Sequence, residues 1–202
     1  FFKTLAFGTG GLRGRTIGRT VTASEQGAGG PNGRPQFPCV GTATMNYYNL
    51  SRAVRGLIAY VKAFAGEGKT PSFAFALDTR HFSKDFADFC ARTCADLGCD
   101  AYVFDGPRST PQLSFAVRQL RCDSGVVITA SHNPSHDCGF KAYFNDGAQI
   151  VEPHATAIIK EVNAINSERY EALPEDQRGK VTVLGADFDE KYIELLKTLL
   201  LQ

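Results

Sequence analysis

The run Thr129-Ala130-Ser131-His132-Asn133-Pro134 follows directly on the apolar stretch Gly125-Val126-Val127-Ile128. That order puts a small hydroxyl nucleophile where a buried strand ends, and Pro134 stiffens the polar turn behind it. With Lys141 further along, Ser131 reads as a carrier of a phosphoryl group rather than as a structural serine. No G-x-S-x-G surrounds it, so the strand-to-helix elbow of a serine hydrolase is not expected here. His132 is adjacent in sequence, and neighbours on an extended chain point apart. It is expected to donate to a phosphate or a sugar hydroxyl, not to serve as the base for Ser131. Lys141 falls in the following strand and could point back into the site; taken in isolation, an exposed edge lysine is the favoured reading.

Two glycine-rich segments invite a phosphate-binding reading. In Gly8-Thr9-Gly10-Gly11-Leu12-Arg13-Gly14, Arg13 stands where a dinucleotide fingerprint would end in glycine. The glycines permit close backbone approach to an anion, with Arg13 as a bidentate fork. A flexible chain start with a surface arginine accounts for them equally well. Ala63-Phe64-Ala65-Gly66-Glu67-Gly68-Lys69-Thr70 is a relaxed version of a P-loop, but a helical pattern precedes it, and Pro71 and a strand pattern follow. A P-loop needs the reverse order, so that helix N-terminal amides face the phosphate; this segment is read as a helix stop. His81, His136 and His154 show no metal-ligand pairing and are assigned hydrogen-bonded surface roles. The sequon Asn49-Leu50-Ser51 lies within a predicted helix and is taken as chance.

The elements that must position these residues follow from periodicity. Leu50, Val54, Leu57, Ile58, Val61 and Phe64 recur at helical spacing between Met45 and Ala65. Strands are expected at 72–77, 101–104, 125–129 and 140–144, the last joined to 148–151 across Asn145-Asp146-Gly147. Ser83 is expected to cap a helix that runs to Leu97, and Thr110-Pro111 to open another. A helix from Glu152 to about Ile165, a strand at 181–183 and a terminal helix over 187–200 complete the pattern. The apolar face of that last helix (Phe188, Tyr192, Ile193, Leu195, Leu196, Leu199) has few evident partners in the chain. Arg15 to about Ala43 reads as one long loop, of a length that is usually functional or disordered. Alternating strands and helices predict an α/β domain with a largely parallel sheet. Ligands bind such sheets at the carboxyl ends of strands, where Asp78-Thr79-Arg80 and Thr129-Ala130-Ser131 both fall.

Composition narrows the function classes. The 202 residues carry 43% hydrophobic and 21% charged side chains, as a globular domain does. A net charge of +1 argues against a nucleic-acid surface, while a few arginines suffice for a phosphate pocket. No apolar run reaches the roughly 18 residues of a membrane span, and no signal peptide opens the chain. The start lacks an initiator Met, from which an N-terminal piece is inferred to be missing. Cys39, Cys90, Cys94, Cys99, Cys122 and Cys138 include no C-x-x-C pair and are read as reduced and structural in a cytoplasmic protein.

Phe7-Gly8-Thr9, Gly11-Leu12-Arg13-Gly14, Asp78-Thr79-Arg80, Ser109-Thr110-Pro111 and the Ser131 loop stand in the order that marks the α-D-phosphohexomutases. The chain resembles the first domain of that superfamily over nearly its whole length. Gly139-Phe140-Lys141-Ala142-Tyr143 and Gly147-Ala148-Gln149-Ile150 are similar to the phosphoglucomutase/phosphopentomutase branch. The resemblance implies a three-layer α/β/α domain with a mixed, mostly parallel sheet over residues 1–185. Residues 186–202 would then form a helix leading to a second domain.

It further implies a phosphoserine at Ser131 that exchanges its phosphoryl group with a hexose monophosphate, through a bisphosphorylated sugar. Ser131, Lys141, Arg13 and His132 are the implied catalytic group. Arg13, Asn133, Arg80 and Lys141 would bind substrate or phosphate, with Arg80 bracing the site from the neighbouring strand end. Lys141 is favoured over Arg13 for proton transfer, because a guanidinium does not readily give up its proton. Mg²⁺ is the implied cofactor, with phosphorylated Ser131 as one ligand and the others in further domains. The implied partners are a sugar phosphate, a glucose 1,6-bisphosphate-type activator and the remaining domains of an intact enzyme, without which this portion would be inactive. Two alternatives stay open: a phosphomannomutase or phosphopentomutase domain, and a sugar-phosphate-binding module without turnover.

Overall fold

β-branched and aromatic residues make the central strands, and because successive side chains point to opposite faces of the sheet, each strand contributes to two cores. The computed structural model describes residues 3–8 and 10–200. In chain order it contains β1 (Gly11–Arg15), α1 (Ala23–Gln26), α2 (Tyr47–Ala65), β2 (Ser72–Leu77), α3 (Ser83–Asp96), β3 (Asp100–Phe104), α4 (Thr110–Gln119), β4 (Ser124–Ile128), β5 (Asp137–Phe144), α5 (His154–Ala164), β6 (Val181–Leu184) and α6 (Ala186–Thr198). The strands form one sheet in the order β1-β5-β4-β2-β3-β6. β4, β2, β3 and β6 run parallel to one another, and β5 and β1 are antiparallel additions on one side.

Along β2, Phe73, Phe75 and Leu77 enter a core shared with α2, α3 and α5. Ala74 and Ala76 face the other way, into a core shared with Leu113, Ala116 and Val117 of α4 and Phe188 of α6. Helices therefore cover both faces, giving the expected three-layer α/β/α architecture. No described helix is long and apolar enough to cross a membrane.

Several local expectations need correction. Gly11–Arg15 is a strand rather than a flexible chain start, pairing Leu12 with Phe140 and Arg13 with Gly139. Its glycines hid it, because they lower strand propensity. Gly11 is nonetheless required there, since a Cβ would fall 1.9 Å from the Phe140 carbonyl oxygen. Ser83 does not cap α3; the N-cap is Phe82, in a left-handed conformation with φ 65°. The Ser83 hydroxyl instead donates to the Ile128 carbonyl at 2.7 Å and accepts from the Asp78 N–H, tying the ends of β4 and β2 together. β5 begins three residues before the expected Phe140, and 148–151 returns along it through a single bridge, Tyr143–Gln149, rather than as a strand.

The long loop is ordered locally. Thr22 and Glu25 make a capping box on α1, and Pro31–Gly33 forms a 3-10 turn. The terminal helix also finds partners: Phe188 packs on Phe104 and Phe115, and Tyr192 on Phe115. Ile193, Leu195 and Leu196 on that helix, and Leu199 just past its end, remain exposed. The glycine run after Ala65 ends α2, as the helix-stop reading required.

Candidate active site

β4 ends at Ile128, and the chain turns sharply before re-entering the sheet as β5. Ser131 sits at the top of that turn with φ 58°, a left-handed conformation that costs a residue with a Cβ about 1–2 kcal/mol. Neighbouring bonds hold it there. The Ser131 N–H donates to the Thr129 hydroxyl at 3.0 Å, and the Asn133 N–H to the Ala130 carbonyl at 3.2 Å. Arg80, from the end of β2, donates through Nη2 to the Ser131 carbonyl and through Nη1 to the carbonyls of Pro134 (2.6 Å) and Asp137 (3.2 Å). Its Nε lies 3.1 Å from Asp78 Oδ2 but off the line of a hydrogen bond, so that contact is ionic. The loop is thus clamped from beneath while the Ser131 side chain stays exposed.

Strand parity decides what surrounds the hydroxyl. Gly11 pairs with Lys141 and Arg13 with Gly139, so Arg13 and Lys141 project from one face of adjoining strands. Both line an open pocket of about 400 Å³ together with Thr129, Ser131, Gly8, Gly10, Gly11 and Gln149. The geometry sorts the remaining sequence candidates. Asn133 lies beside this pocket: its Nδ2 donates to Asp137 Oδ2 at 2.9 Å, and its Oδ1 is 3.5 Å from Arg13 Nη1. Both Arg80 Nη atoms are engaged by main-chain oxygens, so Arg80 holds the loop and does not face the pocket.

His132 departs from expectation. Because Ser131 is left-handed rather than extended, His132 Nδ1 comes within 3.4 Å of Ser131 Oγ instead of pointing away. Of two other histidines, His136 makes the hydrogen-bonded contact expected of it, its Nε2 meeting Arg15 Nη2 at 2.8 Å, whereas His154 is half-buried, packed among the rings of Tyr60, Phe64 and Phe144 with its Nδ1 against the Tyr60 hydroxyl.

Sequence reasoning passed over two features of the pocket. Thr129 supplies the hydroxyl that fixes the Ser131 backbone, and Gln149 enters the wall from the chain beyond β5. The signal for Gln149 was the turn at Asn145-Asp146-Gly147, whose register places Gln149 opposite Tyr143 and so on the face of Lys141. Among the described residues, no three His, Cys, Asp or Glu side chains gather in a way that could hold a metal ion. Asp78 is paired with Arg80, and Asp137 receives Asn133 and lies 3.6 Å from His136 Nε2. The groups facing Ser131 are cationic or neutral, suited to phosphate oxygens rather than to a cation.

A sheet extended by antiparallel strands, with a serine raised between an arginine and a lysine at a strand's carboxyl end, defines an α/β domain built to present a hydroxyl to an anionic ligand. Comparison with known proteins specifies the class. Residues 39–169 match the sequence model of "Phosphoglucomutase/phosphomannomutase, alpha/beta/alpha domain I". The chain belongs to that family.

Its curated relatives include a phosphoglucomutase of Staphylococcus haemolyticus, 34% identical over 83% of this chain and 26% of its own length. Another, from Staphylococcus epidermidis, is 30% identical over 97% of this chain and 32% of its own length. The chain therefore spans roughly a quarter to a third of these relatives. Among solved structures, one from Thermus thermophilus, provisionally described as a phosphomannomutase, superposes with a TM-score of 0.70 at 28% identity, over 98% of this chain and 36% of its own. The parafusin (phosphoglucomutase) of Paramecium shares the fold at a TM-score of 0.63 and 19% identity, over 99% and 35% of the two chains.

Proposed function

We propose that this chain is the catalytic-serine domain of a sugar-phosphate mutase that interconverts hexose 1-phosphate and hexose 6-phosphate, with glucose as the sugar. The observation that carries the reading is Ser131, held in a left-handed turn with its hydroxyl open to a pocket that Arg13 and Lys141 line. Curated relatives named phosphoglucomutase favour glucose over mannose or a pentose.

In the proposed cycle Ser131 starts phosphorylated. A hydroxyl of the sugar monophosphate attacks the phosphorus, the bond from phosphorus to Ser131 Oγ breaks, and the serine oxygen takes a proton. The resulting bisphosphorylated sugar then turns over. Ser131 Oγ attacks its other phosphorus, releases the isomeric monophosphate and restores the phosphoserine. Such transfers depend on placement and charge neutralisation more than on covalent help. Arg13 keeps its charge and neutralises phosphoryl oxygens. Lys141 is the flanking group able to exchange a proton with the sugar hydroxyl. His132, within reach of Ser131 Oγ, is suited to bind a phosphoryl oxygen there, and Asn133 to steady the loop beside Arg13.

Mg²⁺ would supply further charge neutralisation. The residues of this chain do not make a metal site, however, beyond the one oxygen ligand that a phosphorylated Ser131 would add, and no step here is routed through a metal. The remaining ligands belong to other parts of an intact enzyme. On this reading residues 1–185 form domain I, residues 186–202 lead to a second domain, and the isolated chain is inactive. Six free, buried thiols support work in the reducing cytoplasm. A glucose 1,6-bisphosphate-type activator would load Ser131 with its first phosphoryl group.

Ser131→Ala in the full-length protein is expected to reduce mutase activity by several orders of magnitude. Intact mass should show that parent protein incubated with glucose 1,6-bisphosphate gains one phosphoryl group and the variant none. Near-parental turnover by the variant would sink the serine assignment. Phosphate-dependent binding without turnover by the parent would instead favour a non-catalytic sugar-phosphate-binding module.

A further inference from the structure

The outer edge of β5 is shared by two segments. β1 pairs with residues 137–141, and beyond it the returning chain takes over. The Ala142 N–H donates to the Gly10 carbonyl at 2.8 Å, while the Ala142 carbonyl accepts from the Ile150 N–H at 3.0 Å. A little further on, the Phe144 N–H donates to the Ala148 carbonyl. Gly10 and Gln149 therefore meet end to end beside Lys141. Parity then directs Gln149: it bridges Tyr143, which shares a face with Lys141, so Gln149 projects on the side of Lys141 and Arg13.

The chain makes room for this side chain. A Cβ on residue 10 would lie 2.5 Å from Gln149 Nε2 and 3.1 Å from its Cγ, and Gly10 holds φ +78°. Only glycine lets the carboxamide lie across the backbone at that point. Gln149 is exposed and lines the pocket of Ser131, so core packing does not account for it.

We propose that Gln149 is a substrate-orienting residue, its carboxamide hydrogen-bonded to a sugar hydroxyl beside the one that exchanges phosphoryl. Arg13 and Lys141 offer positive charge, which suits phosphate oxygens. A neutral carboxamide both donates and accepts, as a sugar hydroxyl does, and so recognises the part of the ligand that the cations leave unread. The assignment rests on the mutase reading above.

The test uses the full-length protein with glucose 1-phosphate and its monodeoxy analogues. Gln149→Ala is expected to raise KM about tenfold, the effect of one lost hydrogen bond to a neutral group, with a smaller change in kcat. For one deoxy analogue the parent should already show that loss, and Gln149→Ala should add nothing to it. A residue that merely supports the fold gives losses that add for every analogue. An active parent whose KM is unchanged by Gln149→Ala, or whose losses add throughout, overturns the assignment alone. A parent that turns over no sugar phosphate overturns the mutase reading and this assignment with it.

Discussion

Arg80 shows how a residue can govern a site without entering it. Its guanidinium meets three carbonyl oxygens of the Ser131 loop, at residues 131, 134 and 137, and its Nε faces Asp78. One planar fork reaching three acceptors fixes the curvature of the turn, which a lysine ammonium on a flexible stem does not reproduce. Arg80→Lys in the full-length protein is therefore expected to lower the kcat of the proposed mutase reaction on the order of 100-fold, the effect of misplacing the proposed nucleophile by about 1 Å. KM should change little, because Arg13 and Lys141 remain. Steady-state kinetics would check this; a variant that raises KM alone would show Arg80 binding substrate directly. Ser131 was singled out by its own loop, while Arg13 and Lys141 were tied to it only by the family resemblance; the structure sets all three around one pocket. The partners of Arg80 were not legible, since main-chain carbonyls leave no mark in a sequence. Nor was the approach of His132 to Ser131, which depends on a positive φ at a residue other than glycine.

At the scale of elements, the strands and helices that carry apolar periodicity could be read, whereas glycine-rich β1 and the order inside the long loop could not. The long loop from Arg15 to Ala43 carries little periodicity, yet polar contacts hold it. Arg34 is buried, pairs with Asp85 at 3.0 Å and lies 3.9 Å over the ring of Phe82, the left-handed residue two positions after Arg80. Glu25 collects the N–H groups of Thr22 and Val40 at 2.8 Å each, and the first of these does most to lower its pKa below the usual carboxylate value. A carboxyl group with a lowered folded pKa stabilises the fold above its unfolded pKa of about 4.3, and that stability is lost as pH falls through the folded value. Amide hydrogen exchange over residues 20–43 should accelerate below about pH 4.3, beyond its intrinsic pH dependence. Glu25→Gln should show weaker protection at pH 7 and no such acid transition. Equal protection in parent and variant at pH 7 would show that the latch does not depend on the carboxylate.

Taken as a whole, the molecule rests on two cores either side of one sheet. The layered α/β form was readable from the alternation of strand and helix patterns, whereas the strand order was not, because β5 reverses and β1 sits at the edge through a pairing distant in sequence. Five of the six buried cysteines line these cores: Cys90, Cys94, Cys99 and Cys138 in one, Cys122 in the other. Burial pushes Cys99 up to about 11 and Cys122 and Cys138 up to about 12, and raises Cys90 and Cys94 well above the ordinary thiol range. Below the unfolded thiol pKa of about 8.5 both states hold these protons, and the fold keeps its full stability. Above that pH the unfolded chain releases protons that the native chain retains, so each thiol withdraws about 1.4 kcal/mol per pH unit until its folded pKa is reached. Urea transitions of the full-length protein, followed by thiol labelling of this domain, should therefore move to lower urea between pH 8 and pH 10. Cys122→Ala fills a small apolar site without a titrating group, and its transition should shift less over the same interval. Equal shifts in parent and variant, or rapid labelling of Cys122 in the native protein at pH 9.5, would show that this thiol ionises inside the fold and does not set its alkaline limit.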